Sequence, residues 1–388
     1  MNTADPDPRP TQDRETVRVE LGARSYDVLV GAGLVEQAGR LMASLLRGRS
    51  AVVVSDGVVA GLYLDATLRS LREAGFACSA LTVEVGERSK DLETLGGMLE
   101  DILGRGIERT TALVALGGGV VGDLTGFAAS ILLRGVPFVQ IPTTLLAQVD
   151  SGVGGKTGVN SAHGKNLIGT FYQPRLVLAD VATLGSLPLR ERLAGYAEVV
   201  KYGLIDDPEF FAWLERNGAA LVDGDRDLLR TAVAHSCRAK ARIVAADERE
   251  SGSRALLNLG HTFAHALEAE AGYDGSLLHG EAVAYGIVLA YRLSAALGLC
   301  SADDAARVAA HFREVGLPSE ANALPPIHWN TSALIERMKH DKKVQDGRIT
   351  FVLTRGVGQA FLSQDVPHEA LRTLLDRAFG ERGLSASR

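Results

Sequence analysis

The 388-residue sequence predicts two domains, a mostly parallel α/β domain followed by an α-helical domain. Its length exceeds what one hydrophobic core usually serves. From about residue 16, short β-branched runs alternate with helical periods. After about residue 186, long stretches keep a 3.6-residue period and contain few strand runs. We therefore divide the chain into a disordered tail at 1–15, an α/β domain at 16–186 and a helical domain at 187–388.

The predicted elements of the α/β domain follow in order from an opening hairpin. The hairpin pairs VRVEL at 17–21 with SYDVLV at 25–30. The predicted helices are 33–47, 57–74 and 89–105. The predicted strands are 51–55, 80–85, 112–116, 137–142 and 176–180. In the helical domain only RITFVL at 348–353 has the pattern of a strand.

Composition and charge exclude several classes of partner. The formal net charge is −6, which argues against nucleic acid or an anionic membrane surface as the main partner. Residues 1–15 are rich in proline and charge and have no apolar segment of a signal peptide. The three cysteines are far apart and have no metal-binding spacing, which suits a reducing compartment. We expect a cytoplasmic protein that acts on a small molecule.

A glycine-rich turn follows the predicted strand ALVAL at 112–116. From Gly117 to Gly122 it matches G-x-G-x-x-G, the turn that lets backbone amides at a helix N-terminus approach a pyrophosphate. The turn does not lie in the first βα unit, and no acidic residue ends the next strand. Asp56, at the end of an earlier strand, is better placed for ribose hydroxyls. Taken alone, the turn indicates a dinucleotide site and a plain structural turn about equally.

The segment from residue 143 to 166 is glycine-rich and contains Gly155, Lys156 and Thr157, as a P-loop would. The first glycine of a P-loop is absent, because position 150 is Asp150, and no buried strand precedes the segment. We therefore reject a P-loop and expect a flexible glycine segment. Its side chains suit a ligand with hydroxyls and an anionic group. They are Asp150, Lys156, Lys165 and Asn166.

Three histidines and a glutamate indicate a metal site. His261 and His265 lie one turn apart on a predicted helix, and His279 follows at a break between helices. Glu198 lies in an apolar helix beside Lys201, where buried charges require a purpose. Two histidines and a glutamate form a catalytic site with an open coordination position. Spacing alone does not decide which of the histidines are ligands.

Seven segments occur in a fixed order along the chain. They are GGGVVGDLTGF at 117–127, RGVPFVQIPTTLLAQVDSGVGGKTGVN at 134–160, GKNLIGTFYQP at 164–174, AEVVKYG at 197–203, RALLNLGHTFAHALE at 254–268, LHGEAVAYG at 278–286 and KHDKK at 339–343. In this order they resemble the 3-dehydroquinate synthase family, and the resemblance runs from about residue 16 to about 378. Any one segment is weak evidence, whereas the set is highly specific.

The resemblance implies a Rossmann-like NAD-binding α/β domain, a helical metal-binding domain and an active site in the cleft between them. It implies Zn²⁺ as the metal, with Co²⁺ as an alternative, on Glu198, His261 and His279. His265 then falls on the substrate side. The catalytic residues it implies are His265, Lys201, Asp150, Lys240 and Asn258. The substrate contacts it implies are Arg134, Lys156, Asn166, Arg254 and Lys342 or Lys343.

The NAD contacts implied by the resemblance follow the predicted strand 51–55, lie near the start of the helix at 89–105, and continue in the glycine turn and in the segment 143–166. They are Asp56, Glu87, Lys90, Gly118, Gly119, Val120, Asp123, Thr143, Thr144, Lys156 and Lys165. One contact stays open, because Val58 stands where some members of the family have a polar residue near the adenosine. A homodimer is also expected.

The reaction implied is conversion of 3-deoxy-D-arabino-heptulosonate 7-phosphate to 3-dehydroquinate and phosphate, in the shikimate pathway to the aromatic amino acids. It proceeds by transient oxidation with NAD, phosphate elimination, re-reduction, ring opening and aldol closure. The alternatives are a related sugar-phosphate cyclase, a metal-dependent alcohol or glycerol dehydrogenase, and a non-catalytic sensor. A dehydrogenase would need no cluster of cationic residues for phosphate. A sensor would be expected to have lost a ligand or a lysine, and none is missing.

Overall fold

The computed structural model describes residues 14–250, 252–339, 344–345 and 348–380. Lys342 and Lys343, two of the predicted substrate contacts, lie outside these residues, as does most of the predicted tail. The end predicted for the tail is wrong by one residue. Glu15 already begins the first strand, where it pairs with Val30.

Nine strands precede the long helices. They are β1 Glu15–Val19, β2 Tyr26–Gly31, β3 Ser50–Asp56, β4 Ala77–Val83, β5 Ala112–Gly117, β6 Phe138–Pro142, β7 Lys156–Ser161, β8 Gly164–Phe171 and β9 Leu176–Asp180. Seven of them form one sheet in the order β1-β2-β9-β6-β5-β3-β4. Only β1 runs antiparallel to its neighbour. The predicted hairpin and the predicted mostly parallel sheet are both confirmed.

The connections of the sheet reverse direction between β3 and β5. From β3 the chain moves outward to β4, and from β5 it moves the opposite way to β6. In open α/β sheets ligands bind outside the carboxyl ends of the strands at such a switch point. Asp56 ends β3 and Gly117 ends β5, so both lie there. The glycine turn therefore lies at a ligand-binding position of the sheet although it is not in the first βα unit.

Five helices accompany the sheet. They are α1 Ala38–Ala43, α2 Gly57–Val59, α3 Asp65–Glu73, α4 Leu92–Gly104 and α5 Gly119–Ile131. The prediction of a helix over 33–47 is wrong at both ends. Asp180 accepts hydrogen bonds from the backbone N–H groups of Gly33 (3.0 Å) and Val35 (2.9 Å), which holds that stretch in a turn.

Residues 156–166 of the segment expected to be a flexible glycine loop lie in an antiparallel hairpin of β7 and β8. Gly158 and Gly169 face each other across the pair. A Cβ atom on Gly169 would overlap the carbonyl group of Thr157. These glycines therefore serve close strand pairing, and the expectation of a loop from their presence was wrong.

Eight helices make up most of the described part of the second half. They are α6 Leu189–Asp206, α7 Pro208–Asp223, α8 Arg226–Ala246, α9 His261–Glu270, α10 His279–Ala296, α11 Ala302–Val315, α12 Thr331–Lys339 and α13 His368–Phe379. The predicted helical half is confirmed. Among the described helices, none combines the length and the apolar character needed to cross a membrane.

Short strands interrupt the helical half near its end. They are β10 Val344–Gln345, β11 Arg348–Ile349, β12 Phe351–Thr354 and β13 Ala360–Ser363. The predicted strand over 348–353 corresponds to β11 and β12, which break at Thr350. The sequence analysis missed β13, which pairs with β12. A strand of four residues is too short for an alternation of apolar and polar residues to be recognised.

The two halves share one apolar core. Val28 and Val30 of β2 and Val177 of β9 are fully buried, and they belong to the same cluster as Ala197 and Val200 of α6. The other sheet strands have their own clusters on either face, with α1 and α3 on one side and α4 and α5 on the other. The helices thus dock on one flank of the sheet, which leaves the carboxyl ends of β3 and β5 open toward them.

Candidate active site

A cavity of about 2100 Å³ lies between the sheet and the helices. Binding sites for one drug-sized ligand usually have about 300–1,000 Å³. The cavity is therefore large enough for a dinucleotide and a second small molecule together. Its walls carry the glycine turn after β5, the β7–β8 hairpin, the segment before α9 and the beginnings of α9 and α10.

At one end the N-terminus of α5 opens into the cavity. Gly118 is the N-cap residue, and it lines the wall with Gly119 and Val120. The free N–H groups of a helix N-terminus attract anionic groups such as pyrophosphate. Asp56 lines the same end, and its Oδ1 accepts hydrogen bonds from the N–H groups of Val58 and Val59, both at 2.9 Å. These bonds fix the carboxylate at the start of α2.

A polar network lines the cavity wall beside the N-terminus of α5. The Lys90 ammonium, only 5% exposed, donates to Asp123 and to the side-chain oxygen of Asn166. Burial alone would lower the pKa of Lys90, but the carboxylates of Asp123 and Glu87 raise it. Asn160 extends the network, since its amide donates to Glu87 (2.8 Å) and its oxygen accepts from the backbone of Asn166 (2.9 Å).

Anion-binding side chains meet at the other end of the cavity. Lys156 forms an ion pair with Glu250, and the Asn258 amide donates to the same carboxylate at 2.9 Å. Lys156, predicted to bind the substrate, and Asn258, predicted to be catalytic, therefore converge on one carboxylate. Attraction to Lys156 outweighs burial and lowers the pKa of Glu250.

Arg254 forms the floor beside them and is 1% exposed. Its guanidinium donates to the backbone oxygens of Gly154, at 3.1 Å, and Glu248. Gly154 has a φ of +95°, and a Cβ atom there would lie 2.6 Å from Arg254 Nη2. The glycine thus permits this approach. Arg254 Nε is buried and has no hydrogen bond within the described ranges.

A row of buried charges alternates in sign beneath the cavity. Lys240 donates to the Asp150 carboxylate at 2.6 Å and also to the Asp150 backbone oxygen. Burial would raise the pKa of Asp150, but Lys240 and Lys201 hold it far below its ordinary value. Lys201 is 1% exposed and forms an ion pair with Glu198, which continues the row. Burial opposes its charge, yet Glu198 and Asp150 raise the pKa of Lys201.

Glu198, His261 and His279 form the candidate metal group, with ligand atoms all within 4.8 Å of one another. The Nε2 atoms of His261 and His279 lie 3.4 and 3.5 Å from Glu198 Oε1. Within the described residues neither Glu198 oxygen has a well-oriented hydrogen bond, although Lys201 lies at ion-pair distance. A buried carboxylate faced by two imidazole nitrogens fits a divalent cation.

Close packing of three helices brings these side chains together. His261 and His279 are the first residues of α9 and α10. A Cβ atom on Gly286 of α10 would overlap the carbonyl oxygen of Gly260, just before α9. One on Gly280 would overlap that of Ala194 in α6. Glycines at both crossings let α10 touch α9 and α6 at backbone distance.

His265 and Glu268 complete this wall. His265 lines the cavity, with its ring centroid 5.6 Å from that of His261 and 6.4 Å from that of His279. It is not part of the three-residue metal group. Glu268 accepts from His279 Nδ1 at 3.1 Å and from Lys165 Nζ at 2.9 Å. Burial would lower the pKa of His279, but the two glutamates raise it to about 10.

Most predicted site residues line the cavity, but several differ from expectation. Arg134 is exposed at a turn with a φ of +68° and does not line the cavity of its own chain. Thr143 is 4% exposed and lies behind Thr144, which does line it. Lys165, predicted as an NAD contact, contacts Glu268 in the helical half. Asn166, predicted as a substrate contact, contacts Lys90.

Three polar residues escaped the sequence analysis, namely Asn160, Glu250 and Glu268. For Glu268 a signal existed, because residues 261, 265 and 268 are spaced to lie on one helical face. Glu250 lies among charged residues in a loop, and nothing in its sequence context distinguishes it. Asn160 lies next to the last residue of β7, a strand that was not predicted.

Two family models and several curated relatives match this chain. The N-terminal model of 3-dehydroquinate synthase matches residues 80–194, and its C-terminal model matches residues 195–344. A 3-dehydroquinate synthase of Rhodospirillum rubrum is 57% identical over 354 residues, which cover 91% of this chain and 92% of the relative.

Two solved structures share the whole fold. One is 2-epi-5-epi-valiolone synthase from Streptomyces hygroscopicus with NAD⁺ and Zn²⁺ bound, at 30% identity and a TM-score of 0.83, covering 94% of this chain and 98% of that one. The other is 2-deoxy-scyllo-inosose synthase complexed with carbaglucose-6-phosphate, NAD⁺ and Co²⁺, at 25% identity and a TM-score of 0.84, covering 94% and 100%.

The two family models together match residues 80–344, more than half of the chain. The R. rubrum relative spans nearly the whole of it. The predicted resemblance is confirmed, and the dehydrogenase alternative is not favoured. The chain belongs to the 3-dehydroquinate synthase family.

Proposed function

We propose that this chain converts 3-deoxy-D-arabino-heptulosonate 7-phosphate to 3-dehydroquinate and phosphate in the cavity, with NAD and one divalent cation. One observation carries the proposal. A helix N-terminus suited to pyrophosphate, a Glu-His-His group and a cluster of cationic side chains all border the same cavity. A dehydrogenase would need the first two features but not the third.

The dinucleotide would lie across the switch point of the sheet. The N-terminus of α5, with Gly118 and Gly119, would take the pyrophosphate, and Asp56 the ribose hydroxyls. Lys90 and Asp123 would line the nicotinamide side. When bound, NAD takes up a hydride from the substrate and returns it, and the cation makes a substrate hydroxyl proton easier to lose.

The cation would be held by Glu198, His261 and His279. Their donor set, one carboxylate and two imidazoles, suits Zn²⁺ and leaves a coordination position for substrate oxygens. The Lys201 ammonium, at ion-pair distance from Glu198, would serve as a hydrogen-bond donor beside the cation. His265, one turn from His261, faces the cavity from the same helix.

The substrate would be oriented by its anionic groups and its hydroxyls. Lys156, Asn258 and Arg254 would hold anionic groups in place of the Glu250 carboxylate that they now surround. Asp150 stays ionised and can accept a hydrogen bond from a substrate hydroxyl, while Lys240 fixes its orientation. Holding the phosphate rigidly favours its elimination, because the reacting groups stay aligned.

The sheet half and the helical half would be two successive domains of the chain. We place the domain boundary near residue 187, between the end of β9 at Asp180 and the start of α6 at Leu189.

We also propose a cytoplasmic location, supported by the net charge of −6 and by three cysteines that form no disulfide.

A homodimer would account for Arg134. Its side chain is exposed and absent from the cavity of its own chain, so a substrate contact by Arg134 requires the cavity of a second copy. Leu133 and Arg134 both have positive φ, at 49° and 68°, a conformation that is costly for residues other than glycine. Such strain is often kept where a side chain has a function.

The activity is tested by following phosphate and NADH together. With Zn²⁺, a catalytic amount of NAD and the heptulosonate phosphate, we expect many phosphates released per NAD and no accumulation of NADH. Glycerol in place of the heptulosonate phosphate serves as the control. Formation of one NADH per substrate consumed would identify a dehydrogenase instead.

The metal assignment is tested by comparing two histidine variants. His279→Ala removes a metal ligand. Its Zn²⁺ affinity should therefore fall by more than the ~10–100-fold that is typical when a residue next to a metal ligand is changed. His265→Ala should keep the metal and lose catalytic rate. Metal content and Zn²⁺ affinity of both purified variants decide the matter. Full occupancy of His279→Ala, or an empty site in His265→Ala, contradicts the assignment.

The anion site is tested with Lys156→Met, which keeps the aliphatic part of a half-exposed side chain and removes its charge. A charge-assisted hydrogen bond contributes roughly 1.5–3 kcal/mol, so kcat/KM should fall about 10- to 100-fold or more. NAD affinity should hardly change. Lys339→Met, at an exposed ion pair with Glu336, is the matched control. An equal loss of NAD affinity would assign Lys156 to the cofactor.

The role of Arg134 is tested by subunit complementation. Arg134→Ala and His279→Ala should each be nearly inactive, whereas a mixed dimer would contain one complete site. Random pairing makes half of the dimers mixed, so the co-expressed pair should recover about a quarter of wild-type activity. Sedimentation confirms the dimer. If the mixture is no more active than either variant, Arg134 does not act across the interface.

A further inference from the structure

Glu268 of α9 joins two side chains from opposite sides of the cavity wall. Its carboxylate, 4% exposed, accepts from His279 Nδ1 at 3.1 Å and from Lys165 Nζ at 2.9 Å. His279 begins α10, whereas Lys165 belongs to β8 of the sheet half. A buried carboxylate is costly unless cations or donors surround it, and His279 and Lys165 supply such partners.

The first contact fixes how His279 presents its ring. Histidine binds a metal ion as a neutral imidazole, which has one N–H, so donation from Nδ1 to Glu268 leaves Nε2 with its lone pair for the cation. That Nε2 faces Glu198 Oε1 at 3.5 Å. His261 is oriented differently, because its Nδ1 lies 3.2 Å from the backbone oxygen of Leu259. Of these two contacts, only that to Glu268 brings a negative charge, which makes the ring a stronger metal ligand.

The second contact ties this carboxylate to the β7–β8 hairpin. The Lys165 ammonium also lies 4.5 Å from the centre of the Tyr273 ring, so it is held against the end of α9 from two directions. The next residue, Asn166, contacts Lys90 on the dinucleotide side. Two consecutive residues of β8 therefore contact the candidate metal site and the candidate dinucleotide site.

We propose that Glu268 is a positioning residue for the divalent cation. It holds His279 with Nε2 directed at the cation, and through Lys165 it links the cation site to the hairpin. The inference rests on the proposed function for the identity of the ligands, but it adds a residue outside the ligand set. If Glu268 were only a counter-ion for Lys165, its loss would change the stability of the protein and leave cation affinity unchanged.

The first test is Glu268→Gln, which keeps the shape of the side chain and removes the charge. Zn²⁺ affinity, measured by competition with a chelator in the absence of substrate, should fall about 10- to 100-fold. The visible absorption of bound Co²⁺ should also change, since it reports ligand geometry. Glu270→Gln is the matched control, because Glu270 lies on the same helix as Glu268 and pairs with Arg337 of α12. Zn²⁺ affinity within twofold of wild type in Glu268→Gln would overturn the proposal.

The second test uses Lys165→Met, whose partly exposed side chain tolerates substitution and which remains informative if Glu268→Gln folds poorly. Lys165→Met should weaken Zn²⁺ binding by a smaller factor than Glu268→Gln does. In the double variant, Lys165→Met should add nothing to the effect of Glu268→Gln, because Lys165 acts through Glu268. Unchanged Zn²⁺ affinity in Lys165→Met alone, or equal effects of Lys165→Met in both backgrounds, would overturn the link to the hairpin. A wild-type protein that binds no Zn²⁺ would refute the proposed metal site itself.

Discussion

A carboxylate without access to water, Glu198, sets the requirements that the rest of the site meets. Removing such a charge from water is costly, and only nearby cations and well-placed donors compensate for it. Lys201 supplies one positive charge, and His261 and His279 direct their Nε2 atoms at the carboxylate. Helices α6, α9 and α10 therefore approach one another at backbone distance, which explains the glycines at their crossings.

Compensation of charge continues across the boundary between the two halves. Lys201 also attracts Asp150, which follows β6 in the sheet half, and Asp150 is bound in turn by Lys240 of α8. Charges of alternating sign stabilise each other in a medium of low polarity. Together with the shared apolar core, this row sets the position of the helices against the sheet. The same contacts that hold the halves together thus form the polar floor of the cavity.

The sequence was sufficient for the order of the elements and for most cavity-lining residues, because period and motif spacing are local properties. The predictions from sequence failed where contacts between residues far apart in the chain determine the local structure. Glycines such as Gly158 were taken as loop residues, although they permit close strand pairing in β7–β8. Asp180, 147 residues away, holds Gly33 in a turn and shortens α1. No local pattern shows that Arg134 lies outside its own cavity or that Glu250 lies between Lys156 and Asn258.

The hairpin that the sequence did not reveal explains how one cavity serves two cofactors. An enzyme that returns its NAD to the starting state in each turnover has no need to release it between cycles. Its cofactor walls can therefore be cross-linked by buried polar contacts, which would hinder exchange in an ordinary dehydrogenase. Residues 165 and 166 of β8 make such contacts toward both sides, with Glu268 and with Lys90. A hydride acceptor and a cation must flank the same carbon of the substrate, and a shared strand keeps their separation constant.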